Sequence, residues 1–160
     1  IRKGSRVIDL GAAPGGWTQV AVQAVGPRGQ VVAIDILPME PVPGATVLQG
    51  DFQEVEAEER TIDAMGGRAD VVLSDMAPNT TGHQSTDHLR IMALAEIGLD
   101  FARSVLAPGG AFIAKVLQGG TTAAMLAVLK RDFTTVRHMK PPASRKDSAE
   151  LYVVATGFRG

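Results

Sequence analysis

A chain of 160 residues is long enough for one domain with a sizeable core, and its 45% hydrophobic and 21% charged content is that of a globular protein. It has no cysteine, which excludes disulfides and thiolate chemistry, and a formal net charge of −1 gives the molecule as a whole no pull toward nucleic acid or an anionic membrane. No apolar run is long enough to span a membrane, the opening Ile1-Arg2-Lys3-Gly4 leads into no signal-peptide core, and His83, His88 and His138 show no metal-ligand spacing.

The first predicted strand, Arg6–Leu10, runs into Asp9-Leu10-Gly11-Ala12-Ala13-Pro14-Gly15-Gly16-Trp17 and then a helix over Gly16–Ala24, stopped by Gly26-Pro27. Small residues in such a turn let the backbone approach a ligand closely, and the helix start offers unpaired N–H groups. The turn lacks the G-x-G-x-x-G spacing of dinucleotide sites. A second strand, Gln30–Asp35, ends in an acid about twenty residues after the glycine turn, a position that suits a carboxylate accepting from ribose hydroxyls. A third, Thr46–Gln49, precedes Asp51 and Phe52, where a carboxylate could accept from an adenine amino group and a ring could pack on the base; the lesser alternative for Asp51 is a cap of the next helix. NAD would use Asp35 in the same way, so these residues alone leave the cofactor open.

A helix over Val55–Met65 leads to a strand over Asp70–Asp75 and the loop Met76-Ala77-Pro78-Asn79. A helix over Asp87–Val105 is broken by Pro108-Gly109-Gly110, and a strand over Ala111–Val116 carries Lys115 near its end. A helix over Thr121–Asp132, a strand over Thr134–Met139, a polar stretch over 140–149 and a strand over Leu151–Thr156 complete the chain. Strands alternating with helices predict a mainly parallel sheet with right-handed crossovers. Ligands sit at the carboxyl ends of such strands, where Asp9, Asp35, Asp51, Asp75 and Lys115 stand. Burying five charges without partners is costly, so these residues are expected to line a site rather than a core. Neighbouring strands can bring Asp75, Lys115 and Glu150 to one cleft. Between 130 and 146 the bases Lys130, Arg131, Arg137, Lys140, Arg145 and Lys146 face only Asp132, which suits a phosphate-binding end.

Asp9-Leu10-Gly11-Ala12-Ala13-Pro14-Gly15-Gly16-Trp17, Gln49-Gly50-Asp51-Phe52, Ser74-Asp75-Met76-Ala77-Pro78-Asn79, Lys115-Val116 and Ser144-Arg145-Lys146-Asp147-Ser148-Ala149-Glu150 together resemble the FtsJ ribosomal-RNA 2′-O-ribose methyltransferases, in order and across the whole chain. The resemblance implies an α/β, Rossmann-like fold: one domain over 1–160 with a seven-stranded, mostly parallel sheet and helices on both faces. It implies methyl transfer from S-adenosyl-L-methionine (SAM) to the ribose 2′-hydroxyl of a uridine in the large ribosomal subunit, in ribosome maturation.

By the same resemblance, Asp75, Lys115 and Glu150 are catalytic, with Lys115 the proton acceptor. Gly11, Pro14, Gly15, Gly16, Trp17, Asp35, Asp51, Phe52 and Asp75 hold the cofactor. Lys140, Arg145 and Lys146, with Arg137 behind them, are the candidates for RNA. The expected partners are ribosomal RNA and the large subunit, with no metal and no membrane, for a monomer in the bacterial cytoplasm or, alternatively, a mitochondrion. The family's first catalytic lysine and a helix lie upstream of the glycine turn, so the chain is expected to be an N-terminally truncated form. The alternatives are a dehydrogenase using NAD, a fragment that binds SAM or RNA without catalysis, and a methyltransferase acting on protein or small molecules.

Overall fold

Valine- and isoleucine-rich runs form the strands, and the amphipathic stretches between them form the helices, as their periodicity dictates. The computed structural model describes residues 1–13, 15–76, 84–117, 123–140 and 150–160. In chain order these give β1 (Arg6–Leu10), α1 (Gly16–Val25), β2 (Gln30–Asp35), β3 (Ala45–Gln49), α2 (Val55–Met65) and β4 (Ala69–Ser74). They continue with α3 (Gln84–Val105), β5 (Leu106–Leu117), α4 (Ala123–Asp132), β6 (Phe133–Met139) and β7 (Glu150–Phe158).

The strands make one seven-stranded sheet in the order β3-β2-β1-β4-β5-β7-β6. β1 to β5 pair in parallel; β7 inserts between β5 and β6 and is antiparallel to both. The chain moves from β1 out to β3, then returns to β4 on β1's other side. That reversal opens a crevice at the carboxyl ends of β1 and β4, the place where open α/β sheets take ligands.

Alternation along the strands sends successive side chains to opposite faces. Val7, Val31, Val71 and Leu73 pack against Ala21 and Val25 of α1. On the other face Ile8, Leu10, Ile34, Val72 and Phe112 pack against α2, α3 and α4 through Met65, Leu99 and Leu129. Helices therefore cover both faces, as expected.

The helix breaker Pro108-Gly109-Gly110 sits within β5 rather than before it. Ala69 pairs with Leu106 and Val71 with Ala111, so the intervening residues of β5 bulge out while the pairing resumes. Among the described residues no helix is long and apolar enough to cross a membrane.

Candidate active site

The glycine turn is fixed to the sheet by its own backbone. Gly11 and Ala12 donate N–H bonds to Ile34 O at 2.9 and 3.2 Å, and Asp75 N donates to Leu10 O at 2.9 Å. Gly11 has φ +73°, and a Cβ there would lie 2.6 Å from Met76 N, so the chain after β4 passes where a side chain would stand. Gly15, at φ 116°, is the N-cap of α1 and supplies no side chain to its first N–H groups. Pro14 lies outside the described residues.

A cavity of about 420 Å³ opens at the carboxyl ends of β1 and β2, walled by Gly11, Asp35, Asp51, Phe52, Met76 and Arg90 among others. Asp35 Oδ2 accepts from Ala13 N–H and Oδ1 from Leu37 N–H, both at 2.9 Å. A carboxylate has about four lone-pair sites, so each oxygen can still accept a ligand hydroxyl. Asp51 Oδ1 accepts from Gln53 N–H at 2.9 Å, a local turn; the cap of α2 is Glu54 instead. Phe52 is buried, its ring edge-on to Phe101 at 4.7 Å, and presents to the cavity only what that contact leaves. Arg90 was not legible as a wall residue: it comes from α3, whose approach to the turn is a tertiary fact.

Asp9 departs from expectation. Asp9 lines nothing: it is fully buried beneath α1, with Oδ2 accepting from Thr18 Oγ1–H at 2.8 Å. It shares a face with Val7, and α1 covers that face. Its Oδ1 has no partner among the described residues. Burial, chiefly, pushes its carboxyl up to about 6, the Thr18 hydrogen bond opposes this, and the nearby charges of Asp75 and Asp35 add to it. Trp17 does not wall the cavity. Its indole packs on the Tyr152 ring at 5.2 Å, tilted by 37°, and stays 40% exposed.

Asp75 immediately precedes Met76 of the cavity wall. Lys115 Nζ lies 3.1 Å from Asp75 Oδ1, in a site where the lysine is 13% and the aspartate 25% exposed. The contact is an ion pair without hydrogen-bond alignment. Glu150 opens β7 opposite Leu117, at the same sheet end, and its side chain lies outside the described part. Lys140 follows β6 and is exposed; Arg145 and Lys146 lie outside the described residues. Among the described residues no group of His, Asp or Glu is arranged to hold a metal.

A doubly wound sheet with a glycine turn, acids ending β2 and following β3 and β4, and a lysine on β5 defines the class of Rossmann-like methyltransferases. Solved structures agree. A protein from Plasmodium falciparum described as a ribosomal RNA methyltransferase superposes with TM-score 0.83 at 25% identity, covering 99% of this chain and 89% of that one. A protein from Streptococcus mutans described as a methyltransferase, solved in complex with SAH, shares the fold at TM-score 0.60 and 13% identity, over 99% of this chain and 89% of that one. Residues 1–158 match the FtsJ-like methyltransferase model, and the chain belongs to that family. Relatives named ribosomal RNA large subunit methyltransferase E are 61% identical in Xanthobacter autotrophicus and 64% in Paramagnetospirillum magneticum, each over 100% of this chain. The chain spans 64% and 68% of their lengths, and 59% of a 62%-identical relative in Gluconobacter oxydans.

Proposed function

We propose that this chain is the catalytic core of a SAM-dependent methyltransferase that modifies the 2′-hydroxyl of a uridine in large-subunit ribosomal RNA during ribosome maturation. The observation that carries the reading is the Lys115–Asp75 pair beside the cavity. The names of the relatives supply the class of acceptor.

The cavity suits SAM. Gly11, Asp35 and Asp51 wall it, and the two carboxylates offer acceptors to a ribose diol and an amino group. When bound there, SAM supplies a methyl group already activated by its sulfonium. The residues then have two tasks, to align an oxygen and to manage its proton. Lys115 leaves the resting ion pair by giving its proton to solvent, and its neutral amine then holds the 2′-oxygen in line and takes up the hydroxyl proton as transfer proceeds. Asp75, 3.1 Å away, stabilises the ammonium that forms. Glu150, at the start of β7, completes the group in this reading. Lys140 and Arg137, exposed at the end of β6, with Arg145 and Lys146, contact RNA phosphates. This role places the protein with ribosomes, in a bacterial cytoplasm or a mitochondrion.

The test is tritiated methyl transfer from SAM to large subunits that lack the modification, by this chain and by a form extended upstream to its relatives' length. Label recovered in a dinucleotide resistant to alkali is expected, because a methylated 2′-oxygen cannot attack the neighbouring phosphate. Bound SAM without transfer by either form would move the acceptor to another class.

A further inference from the structure

We propose that Trp17 and Tyr152 form a stacking platform for the base of the nucleotide whose ribose is methylated, an inference that rests on the reading above. Tyr152 pairs with Lys115 across β5 and β7, and with Met139 across β6 and β7. Residues directly opposite in an antiparallel pair share a face, with Cβ atoms about 5 Å apart. Lys115, Tyr152 and Met139 therefore form one row across the sheet, with Asp75 beyond Lys115 at its end. The step from Lys115 to Tyr152 is comparable with that from a ribose hydroxyl to the base on the same sugar.

Trp17 reaches this row from α1 and lays its indole on Tyr152. It stays 40% exposed and Met139 51%. Among the described helices, α1 alone packs on this face, over β1, β2 and β4, so β5, β7 and β6 carry no described helix there. The result is an open aromatic and thioether ledge next to the proposed catalytic lysine. Aromatic faces hold nucleobases without requiring a particular sequence. The charge around the ledge favours RNA over an apolar peptide: Arg137 lies on Met139's face of β6 and is exposed, and Lys140 follows. The loop after Asp75, Met76-Ala77-Pro78-Asn79, contains no aromatic residue, so a stacking partner must come from another element.

The chain has one tryptophan, so its emission reports on this position alone. The probes are a large-subunit RNA fragment and the same fragment abasic at the target, which keeps its 2′-hydroxyl. The intact fragment should quench Trp17 at saturation, and the abasic one should not. Equal quenching by both, or none with RNA bound, overturns the platform. Trp17→Leu should raise the RNA KM about tenfold, with SAM affinity within about twofold, and Trp17→Phe should recover most of the loss. Removing the base should raise KM for the unsubstituted protein and raise it by less in Trp17→Leu, which keeps only Tyr152. A variant that loses SAM affinity at unchanged RNA KM assigns the indole to the cofactor and overturns the proposal. No transfer by the unsubstituted protein or by its extended form would defeat the methylation reading, and base-dependent quenching alone would then decide the platform.

Discussion

Lys115 Nζ reaches Asp75 Oδ1 at 3.1 Å because of strand register. Leu73 pairs with Ile113 and Ser74 with Ala114, so the next residues, Asp75 and Lys115, fall side by side. The pair is set by two neighbouring strands, and Lys115 itself does not wall the cavity. Lys115→Ala should therefore lower methyl transfer by about a hundredfold or more while SAM affinity changes less than about twofold. Transfer kinetics and calorimetric titration with SAM separate the two. A parallel collapse of SAM affinity would show that Lys115 holds the cofactor.

The turn after β1 has no room for a side chain. A Cβ at Gly11 would lie 2.6 Å from Met76 N and 2.7 Å from Asp75 C, and the residue's φ is +73°. Both partners are backbone, so neither can rotate away. Gly11→Ala should cost about 1–3 kcal/mol, which in a chain of this size lowers Tm by about 2–4 °C for each kcal/mol. SAM binding should weaken as well, since Gly11 and Met76 wall the cavity. An unchanged Tm and affinity would mean that the turn can re-form elsewhere.

Asp35 stitches β2 to the turn through Ala13 and to the following loop through Leu37. Asp35→Asn replaces one acceptor oxygen by a donor and leaves one of those N–H groups without its partner, at a cost of about 0.5–1.5 kcal/mol, since water reaches them. If Asp35 also accepts from the cofactor ribose, SAM affinity should fall about tenfold or more, beyond any loss of stability. Thermal melts and SAM titration of the same preparation test this. Equal SAM affinity in the variant would confine Asp35 to its structural bonds.

Much of the fold was legible because each element carries its own local signal. β1, β2 and α2 span the residues their patterns predict, and the strand–helix alternation implied the parallel sheet. The first shortfall lies where local signals compete. Pro108-Gly109-Gly110 is a breaker by composition, but pairing on both sides of it keeps β5 continuous through a bulge. Site residues at strand ends were legible by the same logic, since topology puts those ends at the crevice. The exposure of each side chain was not. Asp9 looks like Asp35 in sequence, and only the seating of α1 buries it. Trp17 and Tyr152 stand far apart in the chain, and their contact depends on β7 inserting beside β5. Arg90 meets the cavity through the packing of a long helix.

Asp9 carries a pH signature that its burial creates. Its carboxyl is raised from 3.8 to about 6, with burial as the main cause. The folded protein therefore holds this proton more tightly than the unfolded chain does. The stabilisation is complete below the unfolded value and is lost as pH rises through about 6. A shift of about 2 units corresponds to about 3 kcal/mol. Asp9→Asn cannot ionise, and its amide oxygen can still accept from Thr18. Its NH₂ takes the place of Oδ1, which has no partner among the described residues, so the variant need not be more stable at every pH. The difference between the two proteins is the informative quantity. Urea midpoints between about pH 4 and pH 8 should show the unsubstituted chain losing about 3 kcal/mol relative to Asp9→Asn, most of it between about pH 4 and 7. Parallel curves would mean that Asp9 titrates at its ordinary value, and that α1 does not seal it from water.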